Sequence, residues 1–247
     1  MAAMIDLSDV AVTMDFLAQV RKRVGRADMS CMRATLERRS TTLGSALSAS
    51  VEQPGHTPEA AVVLLGAFLC TRRRRRTILE AVGVARLSRA CRELVGEGDL
   101  ESRVEAFTGE LIDIPGFSPD NAWEFAWELL HCADPGRYSM WTSWLWNPDT
   151  ETGALKLLVG DDVDLFGVDR VDTYRKVGDA LAVVEGTACD IGATDGRTFG
   201  VDVFAACVYG VYMYTVLGMR MSQEFNQIVP ELPDLARRLL GIYRLEV

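Results

Sequence analysis

Lysine is nearly missing from this chain. Of its 26 basic side chains, three are lysine and 23 are arginine. Histidine occurs only at His56 and His131, and the six cysteines (Cys31, Cys70, Cys91, Cys132, Cys189, Cys207) are dispersed, with no C-x-x-C spacing. Zinc ribbons and cysteine-held iron–sulfur clusters bring their ligands in close pairs, so neither is indicated. The thiols read instead as small core residues. Long apolar runs are also lacking. Ala60–Cys70 is the longest, about half of the ~20 residues a bilayer-spanning helix needs. The N-terminal stretch Ile5–Val20 has helical spacing and three aspartates, which is not a signal-peptide pattern, so a cytosolic protein with no membrane association is expected. No G-x-x-x-x-G-K-[ST], G-x-G-x-x-G or G-x-S-x-G is present. No nucleophile is visibly partnered with either histidine, so hydrolase chemistry has no evident machinery.

What the chain does have is apolar residues at helical intervals. Val10, Met14, Leu17, Val20 and Val24 mark a helix over Leu7–Val24 that stops at Gly25. A second follows over Met29–Val51, and Gln53-Pro54-Gly55-His56 breaks the pattern. Thr57-Pro58-Glu59 opens a helix with a hydroxyl cap, a first-turn proline and an acid. The apolar stretch after it is apolar on every side, which predicts a helix buried in the middle of a domain. Helical spacing continues through Thr77–Val95, from an Asp99 cap, from Asp169 to Val184, over Val201–Met221 and over Leu232–Leu240. Gly186–Gly200 reads as a long loop. The expected fold is all-α, a bundle of roughly 8–10 helices, with no internal repeat. It forms either one domain or two interlocked lobes, 1–110 and 111–247.

Charge is uneven. The net charge is −9, with 16 basic and 14 acidic side chains in residues 1–110 but 10 and 21 in residues 111–247. Nucleic acid is held largely by neutralised phosphates, so the acidic half is a poor surface for it. The exception is Arg72, Arg73, Arg74, Arg75 and Arg76, five arginines in a row. On a helix, neighbours point about 100° apart, so such a run cannot form one face. A solvated or dipole-compensating role is therefore expected, with binding of a polyanion or acidic partner as the alternative.

All five tryptophans, Trp123, Trp127, Trp141, Trp144 and Trp146, fall within 24 positions. They are candidates for a core, or for a partner-binding or base-stacking surface. Glu128-x-x-His131 has the spacing that puts a carboxylate and an imidazole on one helix face, as in di-iron bundles. Those sites need two such pairs and two more glutamates, and the sequence supplies neither. No metal or other cofactor is expected, and Glu128 and His131 stay weak metal candidates. Asp161, Asp162, Asp164, Asp169 and Asp172 lack the glycine and terminal glutamate of a calcium loop. Solvated acids and a helix cap account for them.

The centre of the chain is Ile114-Pro115-Gly116-Phe117-Ser118-Pro119-Asp120-Asn121-Ala122. It resembles the helix-hairpin-helix of the DNA glycosylase superfamily, whose hairpin runs hydrophobic-Pro-Gly-hydrophobic-Gly-Pro-x-x-Ala before its second helix. Ile114, Pro115, Gly116, Phe117, Pro119 and Ala122 carry the match, over about 45 residues of similar organisation. The resemblance implies a helical fold with a phosphate seat at the hairpin. It departs from the family where chemistry would lie. Ser118 replaces the second glycine, and Asp120, with Glu124 one turn on, puts negative charge at the seat. Thr142 falls in the region where the family has its catalytic aspartate. The expectation is a non-catalytic accessory or interaction subunit that binds a protein partner. A DNA-binding protein or divergent glycosylase is the alternative, and a metal or redox enzyme subunit the second.

Overall fold

A computed structural model describes residues 18, 20, 22–52, 58–160, 162–224 and 231–243. Among them it contains ten α-helices and no sheet. The helices are α1 (Arg26–Glu52), α2 (Pro58–Gly66), α3 (Leu69–Arg72), α4 (Arg75–Val82), α5 (Val84–Val95) and α6 (Leu100–Gly109). After them come α7 (Pro119–Ala133), α8 (Arg170–Asp190), α9 (Gly200–Glu224) and α10 (Leu232–Leu239), with a 3₁₀ turn at Leu155–Leu157. The all-α expectation holds. The helix expected over Leu7–Val24 lies mostly outside the described residues, as do the breaker with His56, the Thr57 cap and Pro230. Its end is seen: Val20 and Val24 are buried, and Gly25 precedes α1. No helix among the described residues is long and apolar enough to cross a membrane.

The chain forms two compact units. One consists of Met1–Leu36 with Ser143–Val247, the other of Glu37–Thr142. Helix α1 contributes to both. In the unit of residues 37–142, the core gathers on Phe125 of α7. Its ring lies 5.4 Å from that of Phe68 and 5.3 Å from that of Phe107, both tilted contacts. Leu65, Ile78, Leu94, Val104, Leu111 and Trp127 complete a fully buried set. In the other unit Val177 and Leu181 of α8 and Phe204, Cys207 and Val208 of α9 are buried, with Trp146, Leu155 and Ala236.

The local signals for helix starts are obeyed. Asp99 accepts from the Ser102 amide at 2.9 Å, Ser118 from Asn121 at 3.2 Å and Asp169 from Asp172 at 2.7 Å. Each satisfies an amide that has no partner inside its helix. Two expectations need correction. The apolar stretch after Pro58 is not buried all round. Its helix ends at Gly66, Ala61, Leu65 and Phe68 face inward, and Val63 is 61% exposed. Uniform hydrophobicity leaves the inward face undetermined, and here one face suffices. Nor do residues 77–95 form one helix. Gly83, at φ 78° and ψ 151°, separates α4 from α5. The expected loop over Gly186–Gly200 is also shorter, because α8 runs on to Asp190.

Replacing Phe125 by Ala is expected to cost about 3–5 kcal/mol in denaturant unfolding. Replacing the exposed Val63 by Ser should change it by less than about 0.5 kcal/mol. Gly167→Ala should fall with the first, because its new Cβ would lie 2.2 Å from the Thr173 amide nitrogen.

Candidate functional site

The central hairpin joins α6 to α7. The Phe117 amide donates to the Ile114 carbonyl at 3.0 Å, closing a four-residue turn. Pro115 occupies its second position and Gly116, at φ 71°, its third, the arrangement of a type II turn. Ile114 and Phe117 are buried, so the turn is pinned to the core on both sides. Ser118 caps α7 and Asp120 lies in its first turn.

The arginine run meets this hairpin. The chain does not pass through residues 72–76 as one helix. Arg72 ends α3, Arg73 and Arg74 form the break (φ −110° and ψ 6° at Arg74), and Arg75 begins α4. The break is fastened from inside, where the fully buried Thr71 hydroxyl donates to the Leu65 carbonyl at 2.6 Å. The expectation that five arginines must spread around a helix is thus corrected, because helical periodicity does not apply across the break. Arg73, Arg74, Arg75 and Arg76 are all exposed. A Cβ on Gly116 would lie 3.3 Å from Arg74 Cζ, so the guanidinium lies on the bare face of the glycine. Two features far apart in sequence therefore share one surface.

Beneath it lies a buried polar group. Glu128 on α7 is 8% exposed, and Cys70 on α3 donates to its Oε2 at 3.3 Å. Burial pushes the Glu128 carboxyl above its usual range, opposed by the positive charge of Arg39, the Cys70 hydrogen bond and His131. Burial, then the charge of Glu128, raises the Cys70 thiol well above its ordinary value. Arg39 of α1 donates to the Ala67 carbonyl at 3.4 Å and sits 5.7 Å from the Phe68 ring centre. His131 Nδ1 lies 2.6 Å from the Tyr138 carbonyl. A carbonyl can only accept, so this nitrogen carries the proton. Glu128 and His131 are one turn apart as expected, yet each is turned to a partner of its own. Among the described residues no three His, Cys, Asp or Glu side chains converge to hold an ion. A thiol with a raised pKa is a poor nucleophile, so Cys70 is not activated. Thr142 is buried, at 3% exposure.

The tryptophans are divided. Trp127 and Trp146 are buried at 2% and 1% exposure and fill the cores of different units. Trp123 and Trp141 are half-buried, and the Trp123 ring packs 6.1 Å from that of Trp127. Trp144 donates from Nε1 to the Leu239 carbonyl at 2.9 Å and stacks on Tyr209. Two of the five are thus core residues, as the simplest reading of the cluster expects. Of the acidic stretch, Asp161 is outside the described residues, Asp162 is exposed and Asp164 pairs with Lys176 at 2.8 Å. Asp169 is the cap of α8, and Asp172 accepts from the Val168 amide at 3.0 Å.

Together these features define a two-unit all-α protein with an exposed basic junction beside a hairpin. No known family, curated protein or solved structure matches the chain.

The Glu128 pKa fixes a sign. A carboxyl raised in the folded state holds its proton longer there than in the unfolded chain. The stability this contributes is full below the ordinary value near 4.5 and lost as pH rises through the folded value. Glu128→Gln is therefore expected to flatten this part of the pH dependence. In urea unfolding, its stability relative to the natural chain should improve from pH 4 towards pH 8. An unchanged difference across that range would show that the carboxyl is not perturbed.

Proposed function

We propose that this chain is a non-catalytic interaction protein whose basic junction, Arg73–Arg76, engages an acidic segment of a partner protein. The observation that carries the reading is the exposed arginine run at a helix break, with Arg74 laid across Gly116. That arrangement turns a sequence-adjacent run into a surface, held in place by Thr71 beneath it and by the hairpin beside it. Residues 37–142 hold 12 basic and 15 acidic side chains, five of the basic ones in the run. A compact acidic segment fits such an island. A long duplex would also meet the surrounding acids, Asp113, Asp120 and Glu124 among them. On this reading the hairpin is a structural hub of the helix-hairpin-helix kind, and Glu128 belongs to the buried support, not to a reacting centre.

A second reading has its own support. Gly116 and the capped N-terminus of α7 form the type of turn that seats a backbone phosphate, and Arg74 is beside it. DNA binding without base specificity would follow.

The two readings separate in one experiment. The full chain and the variant with Arg73, Arg74, Arg75 and Arg76 replaced by Gln are titrated against an acidic peptide and a DNA duplex over increasing salt. Peptide binding should weaken on the order of thirtyfold in the variant, taking about 0.5 kcal/mol per exposed ion pair. The duplex should bind no better than the peptide at matched charge. Tight, salt-steep duplex binding lost in the variant would favour the second reading. Binding of neither ligand, or binding unaffected by the substitutions, would overturn both.

A further inference from the structure

The unit formed by residues 1–36 and 143–247 carries a cavity of its own, and what it could hold does not rest on the basic junction. Arg26, Met29, Ser30 and Arg33 recur at three- and four-residue intervals, so they share one face of α1. The two arginines stand two turns apart, about 10 Å along the axis. Facing them are Gly192, Ala193, Thr194 and Asp195 of the α8–α9 loop, with Gly200 and Val203 of α9. The space between them, open to solvent on one side, is about 290 Å³, the small end of the range for small-molecule sites.

The loop wall is fixed. The Ala193 and Thr194 amides both donate to the Ala188 carbonyl, at 2.7 and 3.2 Å. Gly192 and Gly196 take positive φ angles of 66° and 65°. A Cβ on Gly196 would meet Cys189 Sγ at 3.3 Å, and that sulfur lies 3.1 Å from Thr194 Oγ1. Where the loop enters α9, Phe199 is held at φ 64° with its side chain buried. A bulky residue in the left-handed region is strained, and such strain concentrates at functional sites. The small residues keep side-chain bulk out of the space, so backbone and the Ser30 and Thr194 hydroxyls border it.

Charge selects the ligand. Among the described residues, Asp195 is the one acid lining the cavity. It lies 3.6 Å from Arg33 and 3.5 Å from Arg197, so one carboxylate is shared between two guanidiniums. Arg26 lines the rim, is exposed, and makes no ion pair with a described residue. The Arg33 side chain is 16% exposed, so its charge acts where water screens it little. In a chain of net charge −9 this is a local reversal of sign. A guanidinium fork matches an oxyanion with two parallel hydrogen bonds.

We infer that this cavity binds a small organic anion bearing a carboxylate or a phosphate, gripped between Arg33 and Arg26 with the Ser30 and Thr194 hydroxyls beside it. The full chain is titrated by calorimetry at constant ionic strength with inorganic phosphate in one arm and succinate in the other. Saturable binding in either arm, weakened about tenfold or more by Arg26→Gln and by Arg33→Gln, supports the site and names the oxyanion class. Arg26→Gln keeps the test decisive if the loss of the Arg33–Asp195 pair disturbs folding. The exposed Arg175→Gln is the control and should bind like the natural chain. No saturable binding in either arm up to about 10 mM, or binding indifferent to Arg26→Gln, would overturn the site.

Discussion

The packing of Phe68 and Phe107 on Phe125 is the contact on which the unit of residues 37–142 depends. Phe125 is fully buried on α7, Phe107 lies in the last turn of α6, and Phe68 lies in the short link between α2 and α3. Three separate elements are thus tied at one point by tilted aromatic contacts, each worth about 0.5–1.5 kcal/mol beyond the buried area. Phe68 can reach that point only if α2 stops before it. The buried Thr71 hydroxyl then takes the Leu65 carbonyl that the stop leaves without a helical partner. The chain turns again two residues later, and the arginines emerge at that turn. The basic surface is therefore a consequence of how the core closes.

The same closure explains the buried polar group. Glu128 is on the inward side of α7, and α3 brings Cys70 within hydrogen-bonding distance of it. A buried carboxylate without partners would be expensive. Here the desolvation that raises its pKa is opposed by Arg39, Cys70 and His131. Arg39 also spans to Ala67 and Phe68. That network reads as cohesion between α1, α3 and α7. Each of its members has a partner within the folded unit.

The other unit follows a different logic. Its helices α8 and α9 are long, and in the loop between them glycines and one strained phenylalanine set the path. Trp144 ties the start of this unit's second segment to the end of α10 through the Leu239 carbonyl, one of those a helix C-terminus leaves unpaired. Loops fixed in this way can place polar groups reproducibly, which a freely moving loop cannot.

Much was legible before any coordinates. Helical period, the helix starts at Asp99 and Asp169, and the turn at Pro115-Gly116 are local properties, governed by steric limits and hydrogen bonds within a few residues. The sequence alone determined the all-α class and most helix starts. It left open which side of an all-apolar stretch faces inward, so Val63 emerged exposed. It did not reveal the break at Gly83, because a glycine within a helical pattern is usually tolerated. Neither the meeting of Arg74 with Gly116, 42 positions apart, nor the facing of Arg26 and Arg33 by Thr194 and Asp195 leaves any periodic trace. Only the tertiary structure decided those, because contact between distant residues is set by how whole elements pack and not by the spacing within any one of them.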